Sequence, residues 1–557
     1  MQLVECVPNF SEGRNQKVLD AITESIRGVE GVELLDVDPG KSTNRTVFTF
    51  VGQPEPVMEA AFQAISRAAQ LIDMSKHSGA HPRMGATDVC PFIPVSGISM
   101  EECAELARKL GKRVGEELKI PVYLYAEAAA QESRRNLADV RSGEYEGLED
   151  RMKNGFTPDF GPHGFNAAAG ATVIGARKFL IAYNVNINSR SQKLANEIAL
   201  SVREAGRAKR DSDGNIVKDS NGVSVKVPGT LVATKAVGWY VEEYQRAQVS
   251  INLVDYAQTS LHRAFDECCN EAGKLGLRVT GSEIVGLVPL EPMLVAGKHY
   301  LSKQGRCTGV PESDLINTAV LSLGLSDITP FDAQKKIIEY RIAPSEKLLK
   351  DMTVAGFVDE LSSESAAPGG GSVAALCGSL SAALSSMVAN LTHGKKGYEK
   401  HNDAFNTIAE KAQSLKKFFV QSMDDDTKAF NNISAARRLP KDTDEQRVVR
   451  EAAIAEANLK ATIVPLTVLA SALTAVELAD LVIEKGNPNT LSDAGVAALT
   501  ARAAAEGAYY NVLINLPSIA DLTSKQDIRA RADKAIAAVR EKTQVLHEKV
   551  LDKLQSP

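Results

Sequence analysis

Ser365-Ala366-Ala367-Pro368-Gly369-Gly370-Gly371-Ser372-Val373-Ala374-Ala375 opens a stretch in which no Asp, Glu, Lys or Arg occurs between Glu364 and Lys395. By length alone this stretch could cross a bilayer. Its residues argue otherwise. Pro368, the glycines at 369–371 and the serines at 372, 379, 381, 385 and 386 stand where lipid would favour Leu, Ile, Val and Phe. Small residues at helical spacing suit a helix buried among other helices, so no membrane partner is expected. The chain beyond about 345 agrees: strand signals nearly vanish and alanine becomes dense at 500–508 and 530–538. Long helices are predicted at 372–392, 400–437, 443–483, 491–514 and 526–553, the third bent at Pro465. This half reads as an all-α helical bundle.

Upstream the pattern changes, and 557 residues are in any case too many for one hydrophobic core. Val32, Leu34, Leu35 and Val37 form an apolar run that ends at Asp38-Pro39-Gly40. Residues 46–51 are β-branched and aromatic, a second strand, and 55–73 have helical periodicity. Further strands are expected at 121–125 and 178–185. From 186 to 330 the mixture repeats, with a helix at 191–205 and strands near 236–241, 247–253 and 284–288. Asp211-Ser212-Asp213-Gly214 and Asp219-Ser220-Asn221-Gly222 mark 207–228 as an exposed hairpin or loop. The whole is α+β, with the break in character near Ala343-Pro344-Ser345.

A net charge of −6 and a pI near 5.9 argue against a nucleic-acid partner. Seven cysteines are scattered without a CxxC pair, as expected of reduced thiols. The first six residues lack the features of a signal peptide, so a cytoplasmic location is expected.

Several stretches carry chemistry. His77-Ser78-Gly79-Ala80-His81-Pro82-Arg83-Met84-Gly85-Ala86-Thr87-Asp88 is too rich in Gly and Pro for a continuous helix. Its two histidines read either as general acid–base groups on a loop or as hydrogen-bonded surface residues. No HExxH or Cys cluster accompanies them, so no metal is expected. Gly161-Pro162-His163-Gly164-Phe165-Asn166-Ala167-Ala168-Ala169-Gly170 would let a flat ligand approach the backbone, or is an ordinary loop. Asp36 and Asp38, at a strand end, read as functional groups or as turn caps. The three glycines before Ser372 favour anion binding at a helix N-terminus over a hinge with a Ser372 cap. In Asp424-Asp425-Asp426, the third acid lies one turn before Phe430 and is placed on the apolar side, while Asp424 and Asp425 are expected to face water. Asn487, Asn489 and Ser492-Asp493 read as a helix cap, and Asn511 and Asn515 as polar core or ligand contacts.

Taken together, these blocks resemble the formimidoyltransferase-cyclodeaminase family. Cys6-Val7-Pro8-Asn9-Phe10-Ser11-Glu12-Gly13, Ser42–Val47, residues 77–93, Gly175–Ala182 and Gly286–Leu290 look like its transferase half. The glycine motif, Asp426-x-x-Ala429-Phe430, Arg438–Lys441 and Asn511–Leu516 look like its cyclodeaminase half. The match runs over nearly the whole chain in the right order. Two features depart from it: Ala168 and Ala169 stand where mammalian members carry larger side chains, and 207–228 looks like an insertion.

The resemblance implies two ferredoxin-like transferase subdomains at 1–179 and 180–342, a linker at 343–350 and a helical cyclodeaminase domain at 351–557. It places the transferase histidine on His81, the folate-binding segment on Gly161 through Gly170 and the cyclodeaminase acid on Asp426. It implies tetrahydrofolate as co-substrate, with or without a polyglutamate tail, N-formimidoyl-L-glutamate as donor, no metal, and a homo-oligomer, a ring-like octamer in the best-known members. A helical domain of the methenyltetrahydrofolate cyclohydrolase type and a non-enzymatic folate-binding scaffold are the competing assignments.

Overall fold

The computed structural model describes residues 2–41, 43–79, 82–342, 348–365 and 367–555. They fall into two compact units. One takes residues up to 293 and 320–343; the other takes 294–319 and the chain from 344 onward.

The first unit holds two main sheets and a two-stranded ladder among the described residues. In the larger, Arg45–Gly52 runs antiparallel to Val32–Gly40 on one side and to Leu3–Cys6 and Asn9–Phe10 on the other. Those short strands pair with Thr87–Ser96, which runs parallel to Thr172–Ala176, itself parallel to Val122–Ala126. The helices Gln16–Arg27, Pro54–Leu71 and Met100–Arg113 bury Leu19, Ile22, Ile65 and Leu110 in one core with Val4, Cys6, Phe48, Phe50 and Phe92. Phe48 and Phe50 alternate as a strand with one helix-covered face requires.

The strand Val32–Gly40 breaks this alternation at one residue. Leu34 pairs with Phe50, but Asp36, not Leu35, pairs with Thr49. Leu35 is the extra residue of a bulge, and it packs with Val51 and Ile338 instead. The slip turns Asp36 and Asp38 away from the helix side, where uninterrupted alternation from Leu34 would have put them. The two acids thus lie within the strand, so the turn-cap expectation does not hold.

The smaller sheet has the order Thr234–Val241, Arg246–Leu253, Ile181–Ile187, Val279–Val285, all antiparallel. The third expected strand there thus lies earlier than 284–288, and Thr172–Ala176 was not foreseen. The helix Gln192–Val202 covers one face so closely that a Cβ on Gly238 would lie 2.0 Å from the Asn196 nitrogen. The segment 207–228 forms a ladder of Arg207–Ala208 with Lys226–Val227 and two outer bridges, Arg210 with Ile216 and Lys218 with Ser224.

In the second unit five long helices, Gly370–Thr392, Asn402–Arg437, Asp444–Lys485, Leu491–Asn515 and Leu522–Gln555, share one core. Alanine density has a packing reason: Ala494, Ala497, Ala501, Ala504, Ala505 and Ala508 are all buried, which lets helices approach closely. A Cβ on Gly378 would lie 2.7 Å from the Phe419 ring. The third helix continues through buried Pro465 as one α-helix. Gly370–Thr392 and Asp444–Lys485 are long and apolar enough to cross a membrane, but 61% and 56% of their most apolar windows are buried in the fold.

Two sequence expectations fail on the second long helix. Asp424 does not face water: it is 3% exposed, and its Oδ1 accepts the Leu349 backbone N–H at 2.7 Å. Phe430 is 43% exposed and is not what places Asp426. Burial pushes the Asp424 carboxyl above its ordinary range, and among the described residues its Oδ2 has no hydrogen-bond partner. The segment Leu349–Asp351 is therefore pinned to the bundle by one buried acceptor. Asp424→Ala should destabilise the helical unit by about 1–3 kcal/mol, the cost of orphaning a buried donor. Urea unfolding followed by far-UV circular dichroism checks this, with Asp424→Asn, which keeps an acceptor, expected nearer to wild type.

Candidate functional site

The first unit brings together two of the stretches singled out from sequence. Ala86 donates its N–H to the Ala169 carbonyl at 2.9 Å, and Ala171 donates to the Met84 carbonyl at 3.0 Å. Met74 donates to the Ala168 carbonyl at 2.8 Å. A Cβ on Gly85 would lie 2.4 Å from the Ala171 oxygen, and one on Gly170 2.3 Å from the Met84 oxygen. Gly170 also has φ +67°, and Gly161 has φ +86° with the Ile120 carbonyl in its Cβ position. These glycines serve backbone packing. Gly164 alone in the segment has open space around its Cβ position.

Between the two terminal glycines, Asn166 closes the turn by accepting from Ala169 N at 2.9 Å. Phe165 lies 5.4 Å from the Tyr145 ring, and the Tyr145 hydroxyl donates to the Ala167 carbonyl at 2.6 Å. Pro162 is half-buried; His163, Ala167 and Ala168 are exposed, whereas Ala169 is buried.

His81, with Ala80, lies outside the described residues. Its surroundings in sequence are firmly tied. Asn44 Nδ2 donates to the Ser78 carbonyl at 2.9 Å. His77 Nδ1 accepts from Arg83 Nε at 3.3 Å, which leaves Nε2–H to donate to the Asn44 carbonyl at 3.0 Å. His77 is thus the hydrogen-bonded histidine of the two alternatives. Arg83 also pairs with Glu144 and Glu146 around an open cleft of about 470 Å³.

Two groups escaped sequence reasoning. Fully buried Asp88 pairs with Arg45 and Arg141 and accepts the Met84 N–H at 3.1 Å, fixing the loop's far end. Burial lowers the Arg45 guanidinium to about 10, with Asp88 opposing. The second is the helix-free face of the smaller sheet. It shares a cavity of about 450 Å³ with Asp36 and Asp38 and lines it with Asn184, Trp239, Gln248 and Glu283. Burial, then the Asp38 charge, pushes the Asp36 carboxyl up, while Lys336 and Arg341 pull it down. Polar residues at alternate positions 184 and 186 were the available signal.

In the second unit the glycine motif and Asp426 meet. Ser372 Oγ donates to Asp426 Oδ2 at 3.0 Å and stands 3.2 Å from the Met423 carbonyl. Ser372 lies inside the first turn, so it is not the cap; the helix starts at Gly370 with Gly369 at the N-cap. A Cβ on Gly371 would lie 2.1 Å from Asp426 Oδ1. The glycine exists to admit the carboxyl. Burial pushes the Asp426 carboxyl above its ordinary range, opposed by hydrogen bonds from the Ser372 hydroxyl and backbone. Asn511 lies alongside, its Nδ2 3.5 Å from the Cβ position of Gly370. Asn487 instead donates its N–H to Thr392 Oγ1 at the far end of the same helix, on the order of 30 Å away.

A sheet-built unit with an acid-lined cavity, followed by an alanine-rich bundle with a half-buried acid at a helix start, defines a two-site enzyme. Sequence models of the formiminotransferase N-terminal subdomain, the formiminotransferase domain and formiminotransferase-cyclodeaminase match residues 3–177, 182–343 and 353–534. A mouse formimidoyltransferase-cyclodeaminase is 46% identical over 533 residues, 95% of each chain. A glutamate formimidoyltransferase of Streptococcus pyogenes is 39% identical over 54% of this chain and 93% of its own. A methenyltetrahydrofolate cyclohydrolase of Methylorubrum extorquens is 42% identical over 30% of this chain and 81% of its own. The chain belongs to the formimidoyltransferase-cyclodeaminase family.

Gly371→Ala should destabilise the helical unit by about 1–3 kcal/mol, because a methyl there overpacks against Asp426. Gly369→Ala, whose Cβ would meet nothing within 4 Å, should stay within about 0.5 kcal/mol. Equal thermal midpoints for the two variants would remove the steric reason for Gly371.

Proposed function

We propose that the chain performs two consecutive steps of one-carbon transfer in histidine degradation. In the first unit, N5 of tetrahydrofolate attacks the amidine carbon of N-formimidoyl-L-glutamate. The bond from that carbon to the glutamate nitrogen breaks, the leaving nitrogen takes a proton and N5 loses one. His81 is the residue assigned to that shuttle. The folate is assigned to Gly161 through Gly170, a segment held against residues 84–86 with its middle open to ligand.

In the helical unit, N10 attacks the same carbon and ammonia leaves, a lyase step that yields 5,10-methenyltetrahydrofolate. The observation that carries this assignment is Asp426: a half-buried carboxyl pushed up by burial, with Ser372 as its hydrogen-bond donor. Such an acid suits protonation of the departing nitrogen. The similarity to a cyclohydrolase over 169 residues supports a second assignment, hydrolysis of the methenyl product by the helical unit. Released ammonia separates the two.

Each sheet of the first unit with its helices is proposed as a ferredoxin-like subdomain, 1–179 and 180–342, followed by the linker 343–350 and the cyclodeaminase domain 351–557. The proposed setting is cytoplasmic, without a metal, on folate with or without a polyglutamate tail. A homo-oligomer, an octamer built from dimers, is supported by one helix face. Val373, Cys377, Leu380, Leu384, Met387 and Leu391 recur at alternating steps of four and three, and Leu380, Met387 and Leu391 are exposed. That spacing is the one a paired helix seam uses, and it supports self-association through this face.

Incubation with N-formimidoyl-glutamate and tetrahydrofolate, following methenyl absorbance and ammonia, tests the whole. His81→Ala should abolish transfer yet still deaminate supplied 5-formimidoyltetrahydrofolate. Asp426→Asn should leave transfer intact and slow ammonia release by roughly 10²–10⁴-fold. Loss of both activities in either variant, with the fold intact by circular dichroism, would refute the separation. Leu380→Asp combined with Leu391→Asp should lower the mass measured by light scattering; an unchanged mass removes this seam from the assembly.

A further inference from the structure

The helix-free face of the smaller sheet is polar yet largely buried. Asn186 and Gln248 are fully buried and Asn184 is 5% exposed. Gln248 Nε2 donates to Asn186 Oδ1 at 2.7 Å and to Glu283 Oε1 at 3.0 Å, and Gln248 Oε1 accepts from Trp239 Nε1 at 3.0 Å. Asn184 Nδ2 donates to the same Glu283 oxygen at 3.1 Å. Two amide donors on one carboxylate oxygen fix the orientation of the group. Buried polar networks of this kind are costly unless fully satisfied. Asn184 Oδ1 accepts from no protein donor among the described residues, and Asn184 lines the cavity, so this oxygen is not sealed inside the network.

The walls of the same cavity carry Asp36, Asp38, Glu243 and Glu283 against one ammonium, Lys336, which donates to the Gly286 carbonyl at 3.2 Å. Tyr244 stands beside Glu283; burial, then the charges of Glu283 and Glu243, push its phenol up. The bulge at Leu35 is what brings Asp36 and Asp38 to this cavity rather than to the core. An acid-lined cavity with an unmatched amide oxygen beside an oriented carboxylate calls for a planar cation with several N–H donors. A formimidoyl group has that chemistry: an amidine is a strong base, protonated at neutral pH, with N–H donors on both nitrogens.

We propose that Glu283 and Asn184 bind the protonated formimidoyl group of the donor substrate and set the preference for a formimidoyl over a neutral formyl donor. This rests on the transferase assignment. The amidinium meets Glu283 and the Asn184 oxygen, with Asp36 and Asp38 supplying the surrounding negative field. Binding as the cation keeps the central carbon electrophilic for the incoming nitrogen.

Glu283→Gln keeps the oxygen that accepts from Asn184 and Gln248 but removes the charge. The KM for N-formimidoyl-glutamate should rise roughly 10–100-fold, the scale of one charge-assisted hydrogen bond. The KM for tetrahydrofolate should stay within about threefold. Inhibition by N-formyl-glutamate should change little, so discrimination between cationic and neutral donors collapses; a purely structural role would weaken both alike. Unchanged discrimination in a folded variant overturns the proposal. Should Glu283→Gln fail to fold, calorimetry on the wild-type chain decides instead. Formamidinium should bind at least tenfold more tightly than formamide, in competition with N-formimidoyl-glutamate, and equal binding overturns the proposal. A wild-type chain that makes no 5-formimidoyltetrahydrofolate sinks the transferase assignment, while the formamidinium comparison still reports on the cation site.

Discussion

In an antiparallel strand the side-chain period is two, so one added residue exchanges every side chain between faces. Leu35 is such a residue. Before it, Leu34 joins the core under the helices; after it, Val37 does so again, while Asp36 and Asp38 turn to the opposite face. Without the bulge two carboxylates would enter a core built of Phe48, Phe50 and Ile65, where an unpaired charge is very costly. With it they line the cavity shared with the smaller sheet. The lining of that cavity therefore depends on where one strand loses register. Leu35 occupies the odd position by packing with Val51 and Ile338, so the slip also anchors the chain that returns after Val320.

The helical unit solves a related problem with missing side chains. A carboxyl can reach a crowded helix start only where no Cβ stands in the way, and Gly371 provides that gap for Asp426. The neighbouring helices are alanine-rich along their buried faces, which brings backbones close and lets Asn511 lie beside Gly370. Close packing and a buried acid are thus one design: small residues create the room that the acid and its Ser372 donor fill.

Much of this was legible in the sequence for identifiable reasons. The five long helices were visible because Ala-rich, strand-poor sequence after 345 has no competing periodicity; their ends moved by only a few residues. The strand Arg45–Gly52 announced itself through β-branched and aromatic residues. Thr172–Ala176 did not, because it is only five residues long and directly follows a Gly/Ala-rich loop. Asp36 and Asp38 were noticed but misread as strand-end groups, since a bulge leaves no local mark in composition. The cluster of Asn184, Gln248 and Glu283 was invisible because its members come from three strands separated by long connections. The pairing of residues 84–86 with 169–171 was likewise beyond local pattern, though one stretch stands out for its histidines and the other for its glycines.

Asp424 and Asp426 show how little sequence position alone fixes a role. They sit two residues apart on one helix, and burial pushes both carboxyls up. Asp424 is buried: one oxygen holds the Leu349 N–H, and among the described residues the other meets no donor. The hydrogen bond it accepts pins a chain segment to the bundle. Asp426 is only half-buried and faces a hydroxyl and the space left by a glycine. A hydroxyl can rotate, and a half-buried carboxyl can meet a ligand. The same residue type becomes an anchor or stays able to meet a ligand according to which of its oxygens the surroundings leave unclaimed and within reach.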